Sequence, residues 1–382
     1  MKATWPKVRL GDVVAPVARR DSPQPGTTYR QIGVKLWGEG AYEREAMDGS
    51  QTKYAQLFRA ETGDVIVNKI WARNGSVAVV PESLAGCYGS GEFPMFAPTR
   101  DRLDARWMHW LTKTRGFWTQ CDEKSQGTSG KNRIRPERFL DIEIPLPPLA
   151  EQRRVVARIE ELAAQIHEAR TLRQQAEEEA EAVIVSVHVQ LSGRRTRTLG
   201  EILQLDEDAQ PVSPTASYPQ VGIWSFGGGL FPKAAMAGAE TTYKAFNRLY
   251  DGALVLSQVK GWEGAVGVCP IELDGWFVSP EYRTFRCIPC EARPGYLASL
   301  VRSEWFWSKL TQATRGVGAR RERTRPEQFV GIELPMPDVE QQKRGEALFA
   351  EVDALKRLQA ETTAELDALL PSILSRAFNG EL

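Results

Sequence analysis

Short apolar stretches rich in β-branched residues alternate along the chain with Gly, Asn and Pro, and this pattern predicts strands joined by turns. The clearest stretches are residues 64–67, 76–80, 253–256 and 265–268. Apolar residues spaced three and four positions apart instead predict one helix over residues 105–118 and another over residues 296–307. We therefore expect globular parts of mixed α and β structure.

A long helix is predicted after each of two proline-rich segments, residues 144–148 and 334–337, because proline cannot occupy a helix interior. The apolar positions that follow recur in alternating steps of three and four. This is a heptad pattern, interrupted at Arg173 in the first helix and at Gln359 in the second. The pattern comprises Val155, Ile159, Leu162, Ile166, Ala169, Ala176, Ala180 and Val183, and then Leu348, Val352, Leu355, Thr362, Leu366, Leu369 and Ile373.

Such a stripe must be buried, either against the other long helix or against the globular part next to it. A seam two residues wide is narrower than the stripe of most core-facing helices, which favours pairing of the two helices. Antiparallel packing of helices about 45–50 Å long would then place the globular parts at opposite ends of a rod.

The whole pattern of strands and helices occurs twice along the chain. Residues 29–118 align with residues 218–307 at a constant shift of 189, and one inserted residue near 317–320 raises the shift to 190 for residues 133–147. Solenoid repeats are about 20–50 residues long, so this longer period indicates a duplicated domain. The predicted fold class is α+β, with two duplicated mixed α/β domains separated by two long antiparallel coiled-coil helices. We place the boundaries at 1–148, 149–193, 194–338 and 339–382.

Composition places the chain among globular proteins, with 42% hydrophobic and 26% charged residues in 382. The sequence contains no apolar run near the roughly 20 residues of a membrane span and no secretory signal, so we expect no membrane partner and a cytoplasmic location. Five cysteines, an odd number, argue against a disulfide framework. Cys287 and Cys290 have the spacing of half a zinc site without a second pair, so we expect structural thiols and no metal or cofactor.

The formal net charge of zero hides an uneven distribution. Residues 151–182 carry five Arg and eight Glu, and residues 340–382 carry five basic and eight acidic side chains, which gives −3 in each helical segment. The rest of the chain must then carry +6. Two mildly basic globular parts are suited to neutralising phosphates on a nucleic acid.

Three stretches of the sequence, taken together with the duplication, indicate a known family. They are Arg135-Pro136-Glu137-Arg138-Phe139, then Ile144-Pro145-Leu146-Pro147-Pro148-Leu149-Ala150-Glu151-Gln152-Arg153-Arg154, and the ending Ile373-Leu374-Ser375-Arg376-Ala377-Phe378-Asn379-Gly380-Glu381-Leu382. Together they resemble the specificity subunit of type I restriction-modification systems, over the whole chain. The second copy departs from the first at Asp338, which replaces Pro148, and at Glu340-Gln341-Gln342, which replaces Ala150-Glu151-Gln152.

The resemblance implies a subunit without catalysis of its own. Each globular part would be a target recognition domain reading one half of an asymmetric bipartite site in double-stranded DNA. The helices would space these domains and dock two methyltransferase (M) subunits, to which restriction (R) subunits add. Independently of the resemblance, the sequence has no phosphate-binding GxxxxGK[ST] loop and no tetrapeptide suited to holding a flipped base. Two alternatives remain: a specificity subunit of another phage-defence assembly, and a coiled-coil adaptor that binds only proteins.

The duplication also sorts candidate DNA contacts, because phosphate contacts carry no sequence information and can be shared by both copies, whereas base contacts should differ. The shared cations are Arg59 and Arg248, Lys131 and Arg321, Arg133 and Arg323, and Arg135 and Arg325. They are candidates for contact with phosphate or with a partner. Arg135 and Arg325 have a structural alternative, since each precedes a proline that begins a helix.

The unshared polar residues follow the first clear strand of each copy. They are Lys69, Arg73 and Asn74 in the first copy, and Gln258, Trp262 and Glu263 in the second. These side chains can distinguish bases, since Arg and Lys suit guanine, Asn and Gln suit adenine, and Glu accepts from cytosine. Variation in an exposed loop is the alternative. We expect most tryptophans to lie in the core, with Trp262 in its Gly-flanked loop as the exception, and we expect residues 38–40 and 227–229 to form turns.

Overall fold

The computed structural model of the protein describes residues 5–125, 132–193, 195–314 and 323–382. The chain forms two compact units: Met1–Arg170 with Thr363–Leu382 is unit 1, and Thr171–Thr362 is unit 2. Each unit therefore combines one sheet-rich globular part with segments of two long helices. The predicted fold class, mixed α and β with a duplicated arrangement and long antiparallel helices, is confirmed.

Among its described residues, the globular part of unit 1 contains three sheets and three short α-helices. Its strands are β1 Lys7–Arg9, β2 Val14–Val17, β3 Arg20–Asp21, β4 Thr28–Val34, β5 Ala41–Asp48, β6 Leu57–Arg59, β7 Val65–Val67, β8 Val77–Val79, β9 Tyr88–Gly89, β10 Met95–Pro98 and β11 Glu143–Pro145. Its helices are α1 Ala105–Leu111, α2 Arg115–Lys124 and α3 Pro136–Leu140. The sheet orders are β1-β11, β2-β10-β7-β8 and β3-β6-β9-β4-β5.

Helix α4, Leu149–Ser192, begins in unit 1 and ends in unit 2. The strands of unit 2 are β12 Thr196–Thr198, β13 Leu203–Leu205, β14 Asp208–Pro211, β15 Ser217–Trp224, β16 Gly229–Ala237, β17 Ala245–Arg248, β18 Leu254–Ser257, β19 Val266–Val268, β20 Phe277–Val278, β21 Tyr282–Cys287 and β22 Glu333–Pro335. The remaining helices are α5 Pro294–Leu300, α6 Glu304–Thr314, α7 Pro326–Val330, α8 Val339–Glu361 and α9 Thr363–Phe378. The sheet orders, β12-β22, β13-β21-β18-β19 and β14-β17-β20-β15-β16, repeat those of unit 1.

The four predicted strands are confirmed as β7, β8, β18 and β19. The single helix predicted over residues 105–118 is wrong, because the chain forms α1 and α2 there. Thr114 caps α2, and its hydroxyl accepts a hydrogen bond from the amide of Phe117 at 3.3 Å. The second copy repeats this division as α5 and α6, with the Ser303 hydroxyl accepting from the Phe306 amide at 3.2 Å.

The long helices pair antiparallel within each unit. In unit 1, Arg170 lies 2.8 Å from Asp367, and the Arg154 guanidinium donates to the carbonyl of Leu382. In unit 2, Arg173 donates to the hydroxyl of Thr362 at 2.6 Å. Arg173, the predicted interruption of the first heptad stripe, therefore contacts a polar residue at the end of α8.

The same helices also pack on their own globular parts, so the two modes of burial occur together. Val155 and Ile159 of α4 join the core of unit 1 with Leu374 of α9, whereas Phe349 and Val352 of α8 join the core of unit 2. Because each long helix packs against both the other helix and its globular part, the residues that it buries differ from the predicted heptad positions. Six predicted stripe residues are consequently exposed: Ala169, Val183, Leu348, Leu355, Thr362 and Leu369.

Each proline-rich segment is followed by a buried glutamine, and the two glutamines are equivalent in the two copies. They attach each long helix to its globular part. Gln152 donates to the carbonyls of Arg102 and Pro147 and accepts from the amide of Asp104. Gln342 makes the same three contacts in unit 2. Asp338, the departure from Pro148, is the N-cap of α8 and accepts from the amide of Gln341 at 2.9 Å.

All five cysteines are free thiols, and only Cys290 is exposed. Within the described ranges no helix is long and apolar enough to cross a bilayer.

Candidate nucleic-acid interface

Three segments of unit 1 meet on one surface, which we call face 1. They are the β4–β5 hairpin tip (residues 35–40), the loop after β7 (residues 68–75) and the extended segment before α3 (residues 132–135). The amide of Trp37 donates to the carbonyl of Asn74 at 2.7 Å, and the amide of Ile134 donates to that of Lys69 at 2.9 Å. The loop after β7 is thus hydrogen-bonded to both neighbouring segments.

Glu92 organises the cations of face 1. Its carboxylate accepts a hydrogen bond from Arg133 at 3.0 Å and lies 3.9 Å from the Lys69 ammonium. Its backbone carbonyl accepts from the amide of Lys69 at 3.1 Å. The structure therefore brings together Lys69, a predicted base reader, and Arg133, a predicted phosphate contact.

Unit 2 repeats this arrangement as face 2, which comprises residues 224–229, 257–264 and 323–325. The amide of Thr324 donates to the carbonyl of Gln258 at 2.9 Å, and the amide of Gln258 donates to that of Glu281 at 2.9 Å. Arg323 forms an ion pair with the Glu281 carboxylate at 2.9 Å. Gln258 occupies the position of Lys69, so this central position carries a cation in face 1 and an uncharged amide in face 2.

Glycine is required where each loop turns. Gly75 and Gly264 end short 3-10 turns, Ala72–Asn74 and Gly261–Glu263, with φ near +75°. A Cβ there would approach Trp118 to 2.8 Å in unit 1 and Trp307 to 2.7 Å in unit 2. Positive φ and close packing against a tryptophan therefore both exclude larger residues.

The extended segment places two arginines of each face toward solvent. Ile134 is buried, so Arg133 and Arg135 on either side both point outward. Thr324 is buried in the same way between Arg323 and Arg325. Arg135 and Arg325 also precede Pro136 and Pro326, which begin α3 and α7, and their contact with phosphate or with a partner stays a prediction. Lys131 and Arg321 lie outside the described residues.

Arg59 and Arg248 lie apart from the two faces. Arg59 of β6 pairs with Tyr88 of β9, which pairs with Gln31 of β4. Arg59 is therefore two strands away from Gln31, and about 13 Å of strand separates Gln31 from the hairpin tip. Arg59 lies 3.9 Å from the Glu61 carboxylate. Arg248 forms an ion pair with Asp208 at 2.8 Å, and hydrogen bonds from Gln210 and Arg248 lower the pKa of the Asp208 carboxyl.

The remaining predicted base readers lie in the 3-10 turns of the two loops. The Arg73 guanidinium donates to the Asn74 side chain at 3.3 Å. Trp262 is exposed, as predicted. Glu263 is half-buried and accepts a hydrogen bond from the Ser225 hydroxyl at 2.8 Å, with Lys260 3.9 Å away. Reading of bases by these residues stays a prediction.

Sequence reasoning missed the most prominent side chains of the hairpin tips. Trp37 of face 1 and Phe226 of face 2 occupy equivalent positions at the shift of 189, and both are exposed. The expectation that most tryptophans are buried is wrong for Trp71 and Trp224, which are exposed. The predicted turns at residues 38–40 and 227–229 are confirmed as the hairpin turns that carry these aromatic residues. An aromatic residue followed by glycine, present in both copies, was the available signal.

Three comparisons bear on this arrangement. The family model described as Type I restriction modification DNA specificity domain matches residues 2–178. The HsdS subunit from Thermoanaerobacter tengcongensis aligns with 24% identity and a TM-score of 0.56, covering 99% of this chain and 97% of that one. A solved structure that addresses complex assembly and conformational transition of the type I R-M system aligns with 22% identity and a TM-score of 0.69, covering 99% and 98%. None of the curated protein sequences matches this chain.

Proposed function

We propose that this chain reads an asymmetric bipartite target in double-stranded DNA, because residues 2–178 match the type I restriction modification DNA specificity domain and the whole chain shares the fold of an HsdS subunit. Face 1 would bind one half-site and face 2 the other. The chemistry of modification and cleavage would reside in partner subunits.

One observation carries the proposal: the two faces share a framework and differ at its centre. The acidic residue and its arginine recur as Glu92 with Arg133 and as Glu281 with Arg323. Between them, Lys69 in one face is replaced by Gln258 in the other. Shared cations suit phosphates, which are alike in every sequence, and different loop residues suit different bases.

The long helices supply a surface for protein partners. Leu348, Leu355 and Leu358 are exposed on α8, and Leu355 and Leu358 each leave 60% of the side chain uncovered. Within unit 2 they are joined by Leu172, Val183 and Val189 of α4. Exposed apolar side chains at this density mark interaction sites. We propose that the paired helices dock two M subunits, with R subunits adding to that complex.

The test uses the full chain in complex with its M subunits. Sequencing of the adenines methylated in a randomised duplex library would define the two half-sites, and titration at several salt concentrations would then measure binding. We expect Arg73→Ala to relax preference in one half-site by about 1–3 kcal/mol per position. Arg133→Ala should weaken binding to all duplexes alike and reduce the salt slope by about one.

Face 2 provides the matched controls. Trp262→Ala should change the other half-site only, and Arg323→Ala should reproduce the uniform loss of Arg133→Ala. Binding that ignores sequence even with the M subunits would contradict the proposal and favour a protein-binding adaptor. If the protein binds DNA with sequence preference but assembles with a nuclease or methyltransferase of a different architecture, it would belong to another defence assembly.

A further inference from the structure

Trp37 and Phe226 share an uncommon backbone conformation. Their φ angles are 55° and 57°, and Cys290 is the other non-glycine residue with positive φ in the described part of the chain. For a bulky L-residue this conformation is strained, because the Cβ atom comes close to the following carbonyl oxygen. Folding nevertheless places an aromatic side chain at the tip of the hairpin in both units.

The two hairpin tips are held firmly in this conformation. The backbone amide of Trp37 donates to the backbone carbonyl of Asn74 at 2.7 Å, and the amide of Phe226 donates to the carbonyl of Glu263 at 2.7 Å. Each ring meets a buttressing tryptophan edge-on: Trp37 meets Trp118 with centroids 6.0 Å apart, and Phe226 meets Trp307 at 5.6 Å. The rings are thus positioned before any ligand arrives.

Despite these contacts the rings face solvent. Trp37 is 55% exposed and Phe226 is 67% exposed. The neighbouring positions differ between the copies, with Leu36 against Ser225 and Asn74 against Glu263, yet an aromatic residue stands at the tip in both. A contact common to both faces must tolerate different base sequences, and stacking on a base has this property because every base has a π-face.

We propose that Trp37 and Phe226 are wedge residues that insert into a base step of their respective half-sites and unstack it. The proposal rests on the proposed DNA-reading function and adds a role that requires neither charge nor base-specific hydrogen bonds. Apolar side chains that enter a base step kink the duplex and allow adjacent segments to contact more of it. The adjacent segments here are the loops carrying Arg73 and Trp262.

The experiment uses the full chain with its M subunits and target duplexes carrying single 2-aminopurine substitutions across each half-site, since this base brightens when it is unstacked. Methyltransferases flip out the base that they modify, so the methylated adenine is left unsubstituted, and we expect one bright position elsewhere in each half-site. Trp37→Gly, which removes the ring and accepts the positive φ, should abolish the signal in one half-site only and weaken binding about 10-fold. Phe226→Gly should do the same in the other. The salt slope should not change, because no charge is removed.

Tyr54→Ala provides the matched control, because Tyr54 is an exposed aromatic residue of unit 1, 51% uncovered, that is also present in the second copy as Tyr243. It should leave the 2-aminopurine signal intact. Trp37→Phe should retain the signal and shows whether a loss in Trp37→Gly reflects the ring or misfolding.

The outcomes separate the two proposals. Sequence-dependent binding with no bright position, or a signal unaffected by Trp37→Gly and Phe226→Gly, would overturn the wedge and leave DNA reading intact. Trp37 also lines a groove with Pro371 and Phe378, so a protein is the competing occupant. Loss of M-subunit assembly in Trp37→Gly, with unchanged fluorescence, would assign the residue to that partner. Absence of any sequence preference in the wild-type complex would instead overturn the function itself.

Discussion

Gln152 accepts a hydrogen bond from the backbone amide of Asp104 at 2.9 Å and thereby ties the first turn of α4 to the start of α1. The same side chain donates to the carbonyls of Arg102 and Pro147 and is fully buried. Every polar atom of this amide therefore has a partner, which is the condition for burying it without a large loss of stability. The glutamine that follows the proline-rich segment is a structural residue.

We expect Gln152→Ala to lower the free energy of unfolding by about 2–4 kcal/mol, because it removes the partner of one buried carbonyl, that of Pro147, and of two partly buried backbone groups. Urea denaturation measures the change. Gln342→Ala should have a similar cost in unit 2, where the same three hydrogen bonds recur. Gln165→Ala, on the exposed side of α4, serves as the control. A loss at Gln152 no larger than at Gln165 would show that the amide contributes little.

The extent to which the sequence predicts the structure depends on how many neighbours each element has. The strands β7 and β8 are predictable because one short apolar run is buried by one sheet. The buried face of α8 is not predictable in this way, since α8 packs both on α4 and on its own globular part. Heptad spacing selects Leu348, Val352 and Leu355, but of these three only Val352 is buried, and Phe349, which lies outside the heptad pattern, is buried with it.

The candidate interface divides in a similar way. The duplication predicts which cations are shared, and Arg133 and Arg323 do lie in equivalent ion pairs. It does not show that Glu92 neutralises part of that charge, because Glu92 is about 40 positions from Arg133 in the sequence. Trp37 was missed because periodicity assigns aromatic residues to the core, whereas its exposure follows from the turn geometry of the hairpin.

His188 should make unit 2 sensitive to acid. Burial lowers the pKa of its imidazole to about 4, and its Nδ1 lies 2.6 Å from the Tyr296 hydroxyl. In the unfolded chain the pKa is about 6.5, so between pH 6.5 and 4 the unfolded state binds the proton and the folded state does not. Stability is therefore full above pH 6.5 and falls as the pH drops toward 4.

We expect the wild-type protein to lose about 2 kcal/mol more than His188→Gln between pH 7.5 and 5.0, since glutamine does not titrate. Urea denaturation at both pH values gives the two differences. Equal losses in the two proteins would mean that the buried imidazole is not responsible for the acid sensitivity.

Cys290 should be the one thiol that reacts rapidly in the folded protein. It is exposed, whereas the other four cysteines are buried, and burial raises the pKa of Cys287 to about 11 and that of Cys121 further still. Thiolates are the reactive form, so both effects slow the buried groups. A chromogenic thiol reagent should detect one fast equivalent in the native protein and five after denaturation. Cys290→Ser should remove the fast equivalent, and a second fast thiol would indicate that a core is open.

Glu92 should limit binding to unrelated DNA. Its carboxylate holds Arg133 at 3.0 Å and lies 3.9 Å from Lys69, so one negative charge stands among the cations of face 1. Replacing it by glutamine removes that charge and leaves Lys69 and Arg133 uncompensated where they would meet phosphate. We expect Glu92→Gln to tighten binding to an unrelated duplex about 3- to 10-fold at low salt and to steepen the salt slope by about one.

Discrimination should fall at the same time, because the loop carrying Lys69 and Arg73 loses the ion pair that positions its neighbour. Glu281→Gln should give the corresponding loss in the other half-site, since Glu281 holds Arg323 at 2.9 Å in the same way. Titrations of target and unrelated duplexes with the M-subunit complex, at matched salt, measure both quantities. Weaker binding of Glu92→Gln to every duplex, with an unchanged salt slope, would show that the carboxylate supports the fold of face 1 and does not restrain its charge.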